Sequence, residues 1–108
     1  MKKYLLLYRA ANDAMEHPTE KTPQEQKEIN DSWIAWVRKC GSQLTDPGQI
    51  FGRAFNITLD GFEPVNSQII GFSILQARDL EEAEELLHGN PHLGINKNHS
   101  FILYEPRS

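Results

Sequence analysis

Residues 69–93 leave this chain few architectures. An apolar run, Ile69-Ile70-Gly71-Phe72-Ser73-Ile74-Leu75, is followed by Asp79 and Glu82 at capping-box spacing, then by an acidic helical stretch that Gly89 is placed to end. Strand, turn, helix and loop follow from those marks. Leu80, Ala83, Leu86 and Leu87 fall on one face of a helix over 80–88, and four glutamates fall around the outside.

The rest of the chain repeats the same grammar. Residues 3–9 alternate Tyr4, Leu6 and Tyr8 against Leu5 and Leu7, a strand apolar on both faces and therefore expected to be covered twice. Residues 10–22, with His17-Pro18 and no period of either kind, read as a long loop. Thr22-Pro23-Gln24-Glu25 then opens a helix with a capping threonine, proline at its first position and a carboxylate three residues on. Its apolar stripe is Ile29, Trp33, Trp36, Val37 and Cys40, with Gly41 as the stop.

Asp46-Pro47-Gly48 marks residues 42–49 as a turn, and 50–58 resume as a strand with Phe51, Arg53, Phe55 and Ile57 on one side and the small Gly52, Ala54 and Asn56 on the other, the side expected to accept a helix. Asp60-Gly61 is the strongest hairpin signal present, and it is expected to join this strand to 69–77. A last strand covers 100–104, and Pro106 follows it. The order βαββαβ is that of an α+β, ferredoxin-like domain: an antiparallel four-stranded sheet with two helices on one face. Two helices cannot cover both faces of four strands, so the second apolar face predicts a homodimer.

The 108 residues suit a single domain, 1–108, and the formal net charge of -4 argues against nucleic acid or anionic lipid as partners. Gly71-Phe72 resembles the aromatic strand motif of RNA-recognition domains, but the flanking basic and aromatic residues of that motif are missing. No apolar run reaches the ~18 residues of a membrane span. The segment 4–8 is too short for a signal-peptide core, and a cytoplasmic protein is expected. The single cysteine, Cys40, ends an apolar stripe and reads as buried filler.

Chemistry has few carriers. His88 and His92 have i, i+4 spacing, but Gly89 and Pro91 interrupt any helix between them, so no metal or other cofactor is expected. His92, in the loop before the last strand, can reach a cleft as a general acid or base, or hydrogen-bond its own loop. Asp60 is the carboxylate to weigh beside it, either orienting the ring and supporting its charged form or shaping its own turn. Arg53 can hold an anionic ligand or pair with a carboxylate. Trp33 and Trp36 can build core, wall a small-molecule pocket, or both.

In the order of its motifs the chain resembles the YCII-related family, in the branch named for an Asp-Gly-Pro-Phe motif. The likeness runs through Lys3-Tyr4-Leu5-Leu6-Leu7-Tyr8, the Trp33/Trp36 helix, Asp60-Gly61-Phe62, Ile70-Gly71-Phe72-Ser73-Ile74, Asp79-Leu80-Glu81-Glu82-Ala83 and Asn90-Pro91-His92-Leu93. The branch's proline between Gly61 and Phe62 is missing, and Pro64-Val65-Asn66-Ser67 stands where relatives carry Glu-Thr-Lys-Glu. The resemblance implies a dimeric α/β barrel with a small-molecule cleft. It also implies a histidine and aspartate pair, here His92 and Asp60, of the kind proposed to act in lyases and dehydrochlorinases working on ring compounds.

Overall fold

The two capped helices form where their signals stand. In a computed structural model describing residues 1–10, 22–94 and 98–107, α1 spans Pro23–Cys40, and the Thr22 side chain accepts the Glu25 amide. Gly41 ends it at φ 56, donating its own N–H to the Val37 carbonyl. α2 spans Leu80–Leu86 with the Asp79 carboxylate accepting from the Glu82 amide. The loop expected over 10–22, His17 included, lies almost wholly outside the described residues.

Among the described residues six strands accompany the helices: β1 Lys2–Ala10, β2 Leu44–Ile50, β3 Ala54–Thr58, β4 Gly61–Val65, β5 Ile69–Ala77 and β6 His99–Tyr104. Four build the main sheet in the order β2-β5-β1-β6, every neighbour antiparallel. This is an α+β arrangement compatible with the ferredoxin-like order. One sheet face carries Tyr4, Leu6, Tyr8 and Leu75, packed with Trp36 and Cys40 of α1 and with Ala83 and Leu86 of α2. The stripe of α1 is narrower than expected, since Val37 is 41% exposed. So is that of α2, where Leu80 is exposed. The opposite sheet face presents Leu5, Leu7, Phe72, Ile74, Ile102 and Tyr104, and no helix of the described residues covers it.

The middle of the chain departs from the sequence expectation. Residues 44–49, expected within a turn over 42–49, join Ile50 in the sheet strand β2, and the strand expected over 50–58 is interrupted at 51–53 before β3. Asp46-Pro47-Gly48 is folded into β2 as a bulge, the register slipping on both sides of Asp46. Pro47 has no N–H to give a ladder, the Asp46 side chain accepts the Gly48 amide at 2.8 Å, and Gly48 takes φ 79. Turn chemistry at a strand edge thus produces a kink without a reversal.

Asp60-Gly61 does not lead into β5 either. It closes a separate hairpin in which β3 pairs with β4, with Thr58 opposite Gly61. Leu59 and Asp60 keep negative φ while Gly61 turns to 136, so the turn has the sense of a type I turn followed by glycine. A second reversal, with Gln68 at φ 65 and its amide given to the Asn66 side chain, then starts β5. A tight turn closes on whatever extended residues come next, and here Phe62 to Val65 were available before 69–77. Among the described residues, Gly52 and Asn56 are exposed and Ala54 half-buried, with no helix packed on the side expected to receive one.

Candidate functional site

Among the described residues, burial singles out three polar side chains, Ser73, Asn90 and His92. Each is held by hydrogen bonds that connect the ends of distant elements. Ser73 lies on the helix-facing side of β5, between Gly71 and Leu75, and its hydroxyl donates to the Pro47 carbonyl at 2.7 Å. Having one proton to give, Ser73 accepts from the Tyr8 phenol at 2.8 Å, and Tyr8 in turn accepts from the Asn90 amide at 3.3 Å. The chain therefore runs one way, from Asn90 through Tyr8 and Ser73 to the β2 bulge. Burial pushes the Tyr8 phenol's pKa up, while the bonds to Ser73 and Asn90 push it back.

His92 sits in a 3-10 turn, Pro91–Gly94, and is 2% exposed. Its backbone amide donates to the Asn90 side-chain Oδ1 at 2.9 Å. Nε2 is 2.9 Å from both the Arg9 and the Ser100 carbonyls. Two carbonyls can only accept, so Nε2 carries the proton and Nδ1 the lone pair. The ring is enclosed by Tyr8, Phe101 and His99 at centroid distances of 5.1, 5.4 and 4.8 Å. Burial pushes its pKa below the ordinary 6.5, against the opposing pull of the Arg9 and Ser100 carbonyls. The imidazole is thus neutral at physiological pH, with one tautomer fixed.

Beside this network lies a largely apolar cavity of about 410 Å³, lined by Tyr8, Trp33, Pro47, Gly48, Gln49, Ile50, Ile70, Gly71, Phe72 and His92. The β2 bulge makes its wall: Gly48 and Gly71 bring the backbones of β2 and β5 close enough that a Cβ on Gly71 would stand 2.9 Å from the Gln49 carbonyl. Among the described residues, no charged side chain lines the cavity.

Of the residues named from sequence, Trp33 and His92 meet at this cavity. Trp36 does not; it is core, its indole donating to the Leu86 carbonyl at 2.7 Å. Asp60 lies on the exposed turn of the β3–β4 hairpin, over a different hollow with Asn56, Thr58 and Glu63. Within one chain no hydrogen bond or ion pair joins it to His92 among the described residues. Arg53 lies at the hairpin's base, its guanidinium 4.8 Å above the Phe55 ring, and it forms no ion pair among the described residues. Cys40 is buried against the Leu86 carbonyl, and burial pushes its thiol pKa up, which suits filler.

Sequence reasoning missed Tyr8, Ser73, Asn90 and the bulge residues. Ser73 was the available signal: a lone hydroxyl on an inward strand position requires a buried partner. The relay also gives a measurable contrast. Tyr8→Phe removes an acceptor from Asn90 and a donor from Ser73, and is expected to cost about 1–2 kcal/mol in urea unfolding. Tyr4→Phe should cost nothing or stabilise, because the buried Tyr4 hydroxyl has no partner among the described residues. The reverse ranking would refute the relay.

The fold and site together define an α+β domain with one aromatic-walled cavity meeting a neutral, tautomer-locked histidine. Comparison with protein-family models and with curated proteins gives no match. No helix among the described residues is long and apolar enough to cross a membrane.

Proposed function

We propose that this chain is a YCII-related homodimer that binds a small uncharged molecule in the cavity shared by Trp33 and His92. The observation that carries the reading is the lining itself: among the described residues it holds the aromatic side chains of Tyr8 and Trp33 and the imidazole of His92, and no charged side chain. A ligand suited to it is a compact, largely apolar ring compound with one hydrogen-bond donor for Nδ1. An anionic ligand would lose its hydration without a cation to replace it. The homodimer is supported by the open sheet face, where Leu5, Leu7, Phe72 and Ile74 form the continuous apolar layer expected of a sheet packed on both sides.

A catalytic version of this reading, a cofactor-independent lyase or isomerase, is favoured by the state of His92. A neutral imidazole with a fixed tautomer is the form a general base requires. In that version His92 takes the proton on Nδ1, and Asp60 acts on it only if supplied from the second copy. The non-catalytic ligand-binding dimer needs the cavity alone.

Thermal unfolding with a panel of neutral phenols and amides, each paired with its carboxylate analogue, tests the binding reading. The neutral members are expected to raise stability by about 2.7 kcal/mol at 100 times Kd. The carboxylates should do so far less, and Trp33→Ala should abolish the effect. Stabilisation that survives Trp33→Ala, or that favours the carboxylates, would put the ligand elsewhere.

A further inference from the structure

The β3–β4 hairpin is an amphipathic ribbon whose apolar side is left bare. Its register sets Phe55 opposite Pro64 and Ile57 opposite Phe62, so these four share one face, while Asn56, Thr58 and Glu63, with Ala54 and Val65 at the hairpin's base, share the other. Apolar-in, polar-out alternation is the pattern of a sheet with one face packed. Yet Ile57 is 74% and Phe62 73% exposed, and Phe62 meets Phe55 of its own hairpin at 5.8 Å. A two-stranded sheet standing alone is marginal in water, and this one pairs with no third strand among the described residues.

We propose that this hairpin is a dimer arm, its apolar face packing on a second copy of the chain. The inference rests on the homodimer reading above and adds to it the element that crosses between copies. Three observations favour a second copy over another occupant. First, the arm's apolar surface runs into the open sheet face: Phe51, between β2 and β3, gives its amide to the Ile70 carbonyl at 2.8 Å and stacks on Phe72 at 5.7 Å. From Phe72 the patch continues across β1 to Leu7. Secondly, the exposed side chains of the two patches, Phe51, Ile57 and Phe62 on one and Leu5 on the other, are uncharged and apolar, which suits a like surface better than a charged partner. Thirdly, a two-fold axis that brings sheet to sheet also delivers each arm to its counterpart, closing both patches in one symmetric contact. Asp60 and Glu63 on the arm, with Arg53 the one Lys or Arg of residues 51–68, give the segment no basic rim for an anionic lipid surface.

Light scattering on the full chain at tens of micromolar tests this. Wild type is expected at roughly 25 kDa, twice the chain's 12.4 kDa. Ile57→Glu combined with Phe62→Glu should weaken association about 100-fold or more with unchanged circular dichroism, whereas Asn56→Glu, on the polar face, should remain dimeric. A wild-type dimer matched by an equally tight double variant would overturn the arm and leave the sheet-face dimer standing. A monomeric wild type would overturn both. Hydrogen exchange gives a readout that needs no variant. Amides of residues 54–65 should be protected in concentrated solution and lose that protection on dilution through the dimer Kd, and concentration-independent exchange there would overturn the arm.

Discussion

Alanine at Gly48 is expected to destabilise the fold by about 3 kcal/mol or more, the largest effect of any single methyl added to this chain. Gly48 combines two constraints. Its φ of 79 is a left-handed conformation that costs an L side chain on the order of 1–2 kcal/mol. A Cβ there would also lie 1.6 Å from the carbonyl oxygen of Phe72 and 2.6 Å from its carbonyl carbon. Both atoms belong to the backbone of β5, so no rotamer change relieves the contact. Relief requires β2 to withdraw from β5, which breaks the Ser73 to Pro47 bond and deforms the cavity wall. Gly41 is the natural control, since it also has positive φ, at 56, but an added Cβ meets nothing within 4 Å. Gly41→Ala should therefore cost only the backbone strain of its φ 56, ψ -133 conformation, on the order of 1–3 kcal/mol. Urea unfolding of the two variants measures the difference, and equal losses would mean that the close approach of β2 to β5 is not a constraint. Ligand affinity at the cavity should fall with Gly48→Ala and not with Gly41→Ala.

The same segment shows where sequence reading reaches its limit. Helix starts were legible because their determinants are local: Thr22 and Asp79 each cap an amide three residues on. Strand periodicity likewise placed β1, β5 and β6, since alternation needs only the chain itself. Asp46-Pro47-Gly48 is equally local chemistry, but whether such a triplet reverses the chain or bulges a strand depends on whether β5 lies alongside to pair with its flanks. The site followed the same division. His92 and Trp33 stood out as residue types that need explaining, whereas Tyr8 looked like one more alternating core residue until β5 brought Ser73 beneath its hydroxyl. Asp60 and Arg53 were attractive as charges, yet their neighbours are set by a hairpin whose pairing partner was not evident from Asp60-Gly61 alone.

Removing the His92 ring is expected to cost about 2–4 kcal/mol, and the loss has a pH signature that packing alone would not give. In His92→Ala the Arg9 and Ser100 carbonyls lose their shared donor, so the end of β1 and the start of β6 are no longer clipped together. The vacated volume adds a cavity cost among Tyr8, Phe101 and His99. The pH dependence follows from the direction of the shift. Folded His92 has a pKa below its ordinary 6.5 because burial disfavours the imidazolium. Above pH 6.5 both folded and unfolded forms are neutral, and its contribution is fully present. As pH falls below 6.5 the unfolded chain binds a proton that the folded chain refuses, so stability declines until the pH passes the lowered folded pKa, where the loss levels off. The slope in that window is at most about 1.4 kcal/mol per pH unit for one proton. His92→Gln keeps a side-chain donor without a titrating ring, and subtracting its stability curve from that of wild type between pH 8 and 4 removes the contributions of the other histidines. The difference should be flat above pH 6.5 and fall below it. A difference that rises on acidification would mean that the folded state holds the charged ring, and a general-base role for neutral His92 would fall with it.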